Sequence, residues 1–497
     1  MYATCMELDP HACYRALLSR DPRFDGRFFA GVRTTGIYCR SICPAPKPKK
    51  HNVRFFACAA AAEEAGFRPC FRCRPEASPG PPAWMGTSTT VSRGLRLIGE
   101  GYLDARGVED LAKQLGITDR HLRRLFIEHL GASPLAIAQA RRVHAAKLLL
   151  DNTPLSVTDV ALSSGFSSVR RFNDAFRKTY QRSPTAARRT LSCVSETAQG
   201  DVALRLSYRP PYDWRAIIDF LIPRAIPGVE QITDEVYTRV VAIEREVGVV
   251  AVSCSVDSHH VTVLIPTNLS KHASRIAACV RRLFDLQADP SEIDNALAND
   301  GMLRVAVRRY PGQRVPGAWD PFETSIRAIL GQQVSVKGAT TIAGRIVQRY
   351  GRRIDSPFAG ADHVFPTPAR LSHARFNNIG LPGGRIRALR SFARAYDSGL
   401  LTFDGSQALQ NFIATMTSLE GIGPWTAHYV AMRAAGEPDA FPAADLALRR
   451  VAQAADPALR TERRLVERSA AWSPWRAYAA MYLWRLYTDN AGKGEKT

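Results

Sequence analysis

The chain is 497 residues long, 45% hydrophobic, and carries a formal net charge of +21. That length allows roughly three domains with ordinary globular cores, and the charge points to a polyanionic partner, with nucleic acid the first candidate. No apolar run approaches the roughly 18 residues that a membrane span needs, and the start, MYATCMELDP, lacks an apolar signal core, so no membrane association and a cytoplasmic location are expected.

The positive charge is concentrated at the front: residues 1–193 hold 30 Lys and Arg against 16 Asp and Glu, a net +14, leaving +7 for the other 304 residues. In this basic stretch four cysteines stand as Cys39-x3-Cys43, a 26-residue gap, and Cys70-x2-Cys73, among Arg40, Lys47, Lys49, Lys50, Arg54, Arg68, Arg72 and Arg74. Two short-spaced pairs suit a tetrahedral Zn2+ site, because each pair places two thiolates on one tight turn. A wholly structural zinc ribbon has the same spacing. Four thiolates on one Zn2+ leave a formal charge of 2−, which keeps sulfur nucleophilic at neutral pH. Cys5, Cys13, Cys58, Cys193, Cys254 and Cys279 are scattered and are expected mostly as small core residues.

The segment from Ala3 to Glu76 resembles the N-terminal module of the Ada family of DNA-repair proteins, through RTTGIYCR around Cys39, then Cys43, then GFRPC-x2-C ending at Cys73. The resemblance implies that Cys39 irreversibly accepts a methyl group from a DNA methylphosphotriester. Loss of one negative charge would then raise DNA affinity. Between the pairs, PAPKPKKH departs from the family pattern.

Residues 76–93 and 190–200 are polar, patternless and suited to linkers, dividing the chain near 80 and near 200. Between them the sequence repeats itself at a spacing of about fifty residues. Val108, Leu111, Ala112 and Leu115 share a helical face, Gly116 interrupts, and Leu122, Leu125 and Phe126 follow; Val157, Val160 and Ala161, Gly165, then Phe172 and Phe176 form the second copy. Ser133-Pro134 recurs as Ser183-Pro184. Helix, glycine turn, helix is the helix-turn-helix pattern, whose second helix enters the major groove. Candidate contacts are Arg120, His121, Arg123 and Arg124, then Ser168, Arg170, Arg171, Asn173 and Arg177. A plain helical bundle with solvated arginines is the alternative, and duplication within a basic block weighs against it. The block resembles the AraC-type DNA-binding domain, which follows the zinc module in Ada proteins.

From Asp201 to Thr267 alternating runs (Val202-x-Leu204-x-Leu206, VVAIE, GVVAVSCSV, HVTVLIP) predict strands, and after Lys271 the pattern is helical to the C-terminus. In LEGIGPWTA, Gly421 and Gly423 would let a hairpin between helices present backbone N–H groups to phosphate. With Asp445 about twenty residues on, this resembles the helix-hairpin-helix DNA glycosylases. RPPYDW at 209–214, RAILGQQVSV at 327–336, LPGGRIRAL at 381–389 and WSPWRAYAAMYLW at 472–484 extend the resemblance to the AlkA type of 3-methyladenine glycosylase.

That resemblance implies a catalytic role for Asp445, whose plain reading is a helix N-cap, and a base pocket of Trp425, Tyr429 and Trp484. It places Gln332 and Gln333 at the wedge that fills the vacated base stack. Gln333 stands where the AlkA type has leucine, and Ala444 where it can have a second acid. Trp425 occupies the place of a Schiff-base lysine, so a monofunctional enzyme is expected. Trp472 and Trp475 are as readily core residues. No P-C-H-R segment occurs, so no O6-methylguanine transferase domain is expected.

The fold class expected is multidomain α+β: a zinc/methyl-acceptor module (1–78), an all-α double helix-turn-helix domain (91–190), a mixed α/β subdomain (201–290) and a helix-hairpin-helix catalytic domain (291–490). The expected function is an alkylation-damage sensor and activator fused to an N-alkylpurine glycosylase. Its partners would be double-stranded DNA and RNA polymerase, in the cytoplasm at the nucleoid, without obligatory oligomerisation. The alternatives are a regulator whose glycosylase-like half only binds DNA, and a repair enzyme whose front half is a tether with structural zinc.

Overall fold

The computed structural model describes residues 9–80, 89–189, 201–255, 258–358, 360–404 and 407–494. Contacts divide the chain into two compact units: Met1–Pro210 with Val252–Arg281 and Leu286–Ala288, and Pro211–Ala251 with Arg282–Asp285 and Asp289–Thr497.

The first unit begins with α1 (Pro10–Ser19), started by Asp9, whose carboxylate accepts the His11 and Ala12 N–H groups. Strands β1 (Phe29–Val32), β2 (Ile37–Cys39), β3 (Val53–Phe56) and β4 (Arg68–Pro69) form a sheet of order β3-β1-β2-β4, with α2 (Ala59–Glu64) ahead of β4. β1 is antiparallel to β2 and β3, while β2 and β4 run parallel with Tyr38 opposite Pro69. Helices α3 (Thr89–Gly99), α4 (Tyr102–Ala105), α5 (Val108–Gln114), α6 (Asp119–Leu130), α7 (Pro134–Asn152), α8 (Val157–Ser163), α9 (Val169–Tyr180) and α10 (Pro184–Arg189) follow.

The predicted repeat is realised as two helical pairs, α5–α6 and α8–α9. Gly116 and Gly165 turn the chain at φ +73° and +89°, values an L side chain rarely adopts. The recurring Ser-Pro starts a helix each time: Ser133 and Ser183 hydroxyls accept the Ala136 and Ala186 N–H groups, both at 3.2 Å, and proline takes the first helical position. One apolar cluster runs from Phe29, Tyr38 and Phe56 through Leu97, Leu122 and Phe126 to Ala138, so the sheet and the first helical pair share a core.

The chain continues through β5 (Val202–Ser207), α11 (Trp214–Leu221), β6 (Glu230–Thr233), β7 (Val236–Ile243), β8 (Glu246–Ser255), β9 (His260–Ile265) and α12 (Ala273–Leu283). In the first unit β5 pairs antiparallel with β9, from Val202–Ile265 to Ser207–His260. In the second, β6 and β7 form an antiparallel hairpin. The four alternating runs are strands; α11 and β6 were not read from alternation. Asp213 caps α11 through the Ala216 N–H (2.9 Å), and Trp214, Ile217, Ile218 and Leu221 keep a helical period.

The second unit then runs through α13 (Pro290–Leu297), α14 (Arg304–Arg309), α15 (Pro321–Leu330), α16 (Val336–Tyr350), β10 (Arg352–Arg353), β11 (His363–Val364), α17 (Pro368–Ser372), α18 (Gly383–Asp397), α19 (Leu409–Thr417), α20 (Pro424–Arg433), α21 (Leu446–Ala455), α22 (Glu462–Ser469) and α23 (Arg476–Gly494). The two-residue ribbon β10–β11 is a departure from the all-helical expectation after Lys271, too short to leave an alternating pattern. No helix of the described residues is long and apolar enough to cross a membrane.

Candidate metal centre and aromatic pocket

Cys39 ends β2, Cys43 closes the next turn through its N–H to the Arg40 carbonyl (3.2 Å), and Cys70 follows β4, its N–H donating to the Tyr38 carbonyl (3.1 Å). The parallel β2–β4 pair therefore places both cysteine turns at one end of the sheet. The four sulfurs of Cys39, Cys43, Cys70 and Cys73 lie within 4.8 Å of one another, and each cysteine is 7–8% exposed. Zn–S bonds of about 2.3 Å give a tetrahedral S···S edge of about 3.8 Å. Cys43 and Cys70 sulfurs are 4.0 Å apart, close to that edge and far beyond a disulfide. The residues fit a four-thiolate Zn2+ site. Arg40 braces it from behind: its amide donates to Cys73 Sγ (3.4 Å), and its buried guanidinium donates to the Cys73 carbonyl (3.1 Å) and to Asp25 (Nε–Oδ1, 2.8 Å). Of the scattered cysteines, Cys13 and Cys58 are buried, Cys254 and Cys279 half-buried, and Cys5 and Cys193 lie outside the described residues.

On the second helix of each pair the predicted cations face outward. Arg120, Arg123 and Arg124 on α6, and Arg170, Arg171 and Arg177 on α9, are exposed, while His121, Ser168 and Asn173 are half-buried. Arg123 pairs with Asp119 (2.9 Å), and Arg124 meets the His121 ring (3.1 Å). Ser168 is a cap, accepting the Arg171 N–H at 3.3 Å.

In the second unit the turn between α19 and α20 carries Gly421 at φ +75°, where a Cβ would stand 2.7 Å from the Ala388 Cβ; Gly423 is the N-cap of α20 with open space around it. Gln332 braces this hairpin, its amide donating to the Gly421 carbonyl (3.0 Å) and to Thr426 Oγ1 (2.8 Å). Gln333 is exposed between α15 and α16, at φ +56°.

Asp445 caps α21. Its Oδ1 accepts the Ala447 and Leu448 N–H groups (2.9 and 3.1 Å) and Trp484 Nε1 (3.0 Å), and its Oδ2 accepts Trp425 Nε1 (3.0 Å). Four donors fix the carboxylate and leave Oδ2 with capacity for one more partner. Trp425 and Tyr429 stack at 5.3 Å between centroids and 16°, and Trp484 lies 6.1 Å from Tyr429. The structure thus gathers Asp445, Trp425, Tyr429 and Trp484. Trp472 and Trp475 are buried core residues. The sequence reading did not find Arg433, whose Nη1 donates to the Tyr429 hydroxyl (2.8 Å). Its position at i+4 from Tyr429 on one helix was the available signal.

Family models match four consecutive stretches: the metal binding domain of Ada over residues 12–76, a helix-turn-helix domain over 111–190, the AlkA N-terminal domain over 203–320, and the HhH-GPD superfamily of base excision DNA repair proteins over 326–477. Across 96% of this chain and 97% of the relative, the sequence is 42% identical to a probable bifunctional transcriptional activator/DNA repair enzyme AlkA of Mycobacterium tuberculosis. The chain belongs to this bifunctional activator and repair family. It is also similar to two relatives that each match only part of it. It is 35% identical to the DNA-3-methyladenine glycosylase 2 of Escherichia coli, over 57% of this chain and 96% of that one. It is 38% identical to the bifunctional transcriptional activator/DNA repair enzyme Ada of Escherichia coli, over 33% of this chain and 44% of that one. In this Ada/AlkA-type chain the four-cysteine centre is a Zn2+ site, and DNA is the partner of both units.

Proposed function

We propose that this protein senses methylphosphotriesters in DNA through Cys39, activates alkylation-repair genes through its two helix-turn-helix motifs, and excises N-alkylated purines at Asp445. The observation that carries the reading is Asp445: a helix-capping carboxylate whose remaining lone-pair capacity lies between two indoles and beside a stacked aromatic pair.

Excision requires the base to leave the stack, with Gln333 as the wedge and Gly421, Gly423 and Gln332 shaping the hairpin that holds the backbone. An alkylated purine is cationic and leaves as a neutral base. The faces of Trp425, Tyr429 and Trp484 favour it over uncharged bases by cation–π attraction, worth roughly 0.5–2 kcal/mol per contact. As the glycosidic bond breaks, positive charge develops on the sugar, and the fixed Asp445 carboxylate stabilises it without reorganisation. Trp425 offers no amine, so the enzyme is monofunctional.

At the front, Cys43, Cys70 and Cys73 hold Zn2+ together with Cys39, and the bound metal keeps the sulfur ionised. Cys39 sulfur attacks the methyl carbon of the triester, the C–O bond breaks, and a phosphodiester anion leaves. Arg123, Arg124, Arg170, Arg171, Asn173 and Arg177 supply phosphate and base contacts on α6 and α9. RNA polymerase at the activated promoters, a cytoplasmic, nucleoid-associated location and action without obligatory oligomerisation complete the reading. So does the division into 1–78, 91–190, 201–290 and 291–490.

The test is release of free base from methylated duplex DNA by the intact protein and by Asp445→Asn. Release by the first alone supports the reading. Inactivity of both on DNA they bind makes the second unit a binding module.

A further inference from the structure

The loop that delivers Asp445 to the pocket runs from Pro438, after α20, to the start of α21, and it is anchored at both ends and in the middle. At its entry the Ala477 N–H donates to the Pro438 carbonyl (2.8 Å), and Asp439 accepts from Arg476 Nε and Nη2 (both 2.7 Å) and from Ser473 Oγ (3.1 Å). At its exit Asp445 caps α21. Between them Phe441 is buried, its ring edge-on to Trp472 at 5.6 Å, and its N–H donates to His428 Nδ1 at 3.3 Å. His428 stands on α20, three residues after Trp425 and one before Tyr429. This bond therefore ties the helix that carries two pocket aromatics to the loop that carries the carboxylate. It requires the neutral ring with its proton on Nε2, since a protonated imidazole donates from both nitrogens and accepts at neither.

We propose that His428 is a positioning residue for Asp445: its Nδ1 lone pair holds the loop against α20, and protonation of the ring releases the loop and slows base excision. The proposal rests on the base-excision reading. When Nδ1 gains a proton, the Phe441 N–H faces another donor and its buried amide loses its acceptor, so the loop relieves the contact by moving away. Asp445, four residues on, then leaves the place that Trp425 and Trp484 define, and a small misplacement of a reacting group costs much of the rate. The surroundings keep the ring neutral at ordinary pH. Burial disfavours its charge and Arg476 adds to that, against the opposite pull of Asp439, so the imidazole is held below the usual histidine value. Helices α15 and α19, which also pack on α20, contribute no charged group that acts on it. The anchor is therefore intact near neutral pH and is lost as pH falls below about 6.5 and through that lowered value.

The experiment follows release of 3-methyladenine from methylated duplex DNA by excess full-length protein between about pH 5 and pH 8, with the same DNA in buffer alone as the baseline. His428→Asn places an amide oxygen where Nδ1 stands, an acceptor that does not titrate in this range. His428→Leu removes the acceptor and keeps an apolar side chain. At about pH 7.5, His428→Asn should match the wild type within about threefold, and His428→Leu should be slower by about 10–100-fold. Towards pH 5 the wild type should fall while His428→Asn holds, so that their ratio moves by at least about threefold. A ratio that does not move with pH, a His428→Leu protein as fast as the wild type, or a His428→Asn protein no faster than His428→Leu overturns the proposal and leaves base excision standing. If His428→Leu does not bind an abasic-site duplex, its pocket has not formed, and the pH course of His428→Asn against the wild type decides alone. A wild type that releases no base from DNA it binds removes the base-excision reading, and the proposal with it.

Discussion

Tyr38, the residue before Cys39, and His144, in the middle of α7, meet at 3.2 Å between Oη and Nε2, and both converge on Glu63 Oε1, at 2.8 and 2.9 Å. One half-buried oxygen thus ties the sheet that carries the metal ligands to the long helix between the two helix-turn-helix motifs. Burial disfavours charge on His144, but the Glu63 carboxylate outweighs it and raises the imidazole above its usual value. A histidine raised in the folded state adds stability that is complete below about pH 6.5 and is lost as pH climbs through the raised value. Unfolding midpoints of the first unit should fall across that window, and His144→Gln should flatten the dependence. Tyr38→Phe should cost about 1–3 kcal/mol in denaturant titration, by leaving the half-buried Glu63–His144 pair one donor short.

Chelation should unfold the front of the molecule, since structural zinc contributes about 10–16 kcal/mol in small domains. Because the sheet shares its apolar cluster with α3 and α6, loss of the metal should also broaden the helical transition measured by circular dichroism. Cys39→Ser should abolish methyl uptake, read by intact mass after incubation with methylated DNA.

Asp445→Asn should reduce base release by about 100-fold or more, the usual scale for losing one preorganised electrostatic group. Asparagine caps helices about as well as aspartate, so the melting temperature should stay close to that of the wild type.

Asp285 in the second unit is half-buried, with its Oδ2 accepting from Tyr478 Oη (2.9 Å) and from the Val315 N–H (3.2 Å). Burial pushes its carboxyl up to about 6, against the opposing pull of Arg314, Tyr478 and Val315. The folded state then binds a proton that the unfolded chain has released, so stability falls between about pH 4 and pH 6, by roughly 3 kcal/mol at 1.36 kcal/mol per pKa unit. Asp285→Asn should remove this decline from the pH profile of second-unit unfolding.

Gly421→Ala should both strain the left-handed turn and press on Ala388, costing about 1–3 kcal/mol. Its affinity for duplex DNA should fall, measured at fixed salt.

The metal ligands could be read in advance because cysteine spacing within each pair is a local property, and the repeat because its glycines and Ser-Pro caps recur in register. Asp445 was readable both as a cap and as a reacting group, and the structure makes it a cap whose other lone pairs meet two indoles. What sequence could not disclose were contacts between distant residues: Glu63 with His144, the apolar cluster joining Phe29 to Ala138, and the fastening of Gln332 to the Gly421 carbonyl. None of these has a periodic signature, since each depends on how elements pack. The helix α11 escaped because one helical face of Trp214, Ile217, Ile218 and Leu221 lies inside a block dominated by alternation.

The apolar cluster that passes from the metal-bearing sheet into the first helical pair has a consequence for inheritance. Neither piece closes its own interior, so each would display a sticky face if made alone, and fragments from a chain cut between them should re-associate. Exchange of either piece with an unrelated gene would have to bring along a matching half of that interior. In this chain the metal-bearing sheet and the first helical pair therefore stand or fall as one folding part.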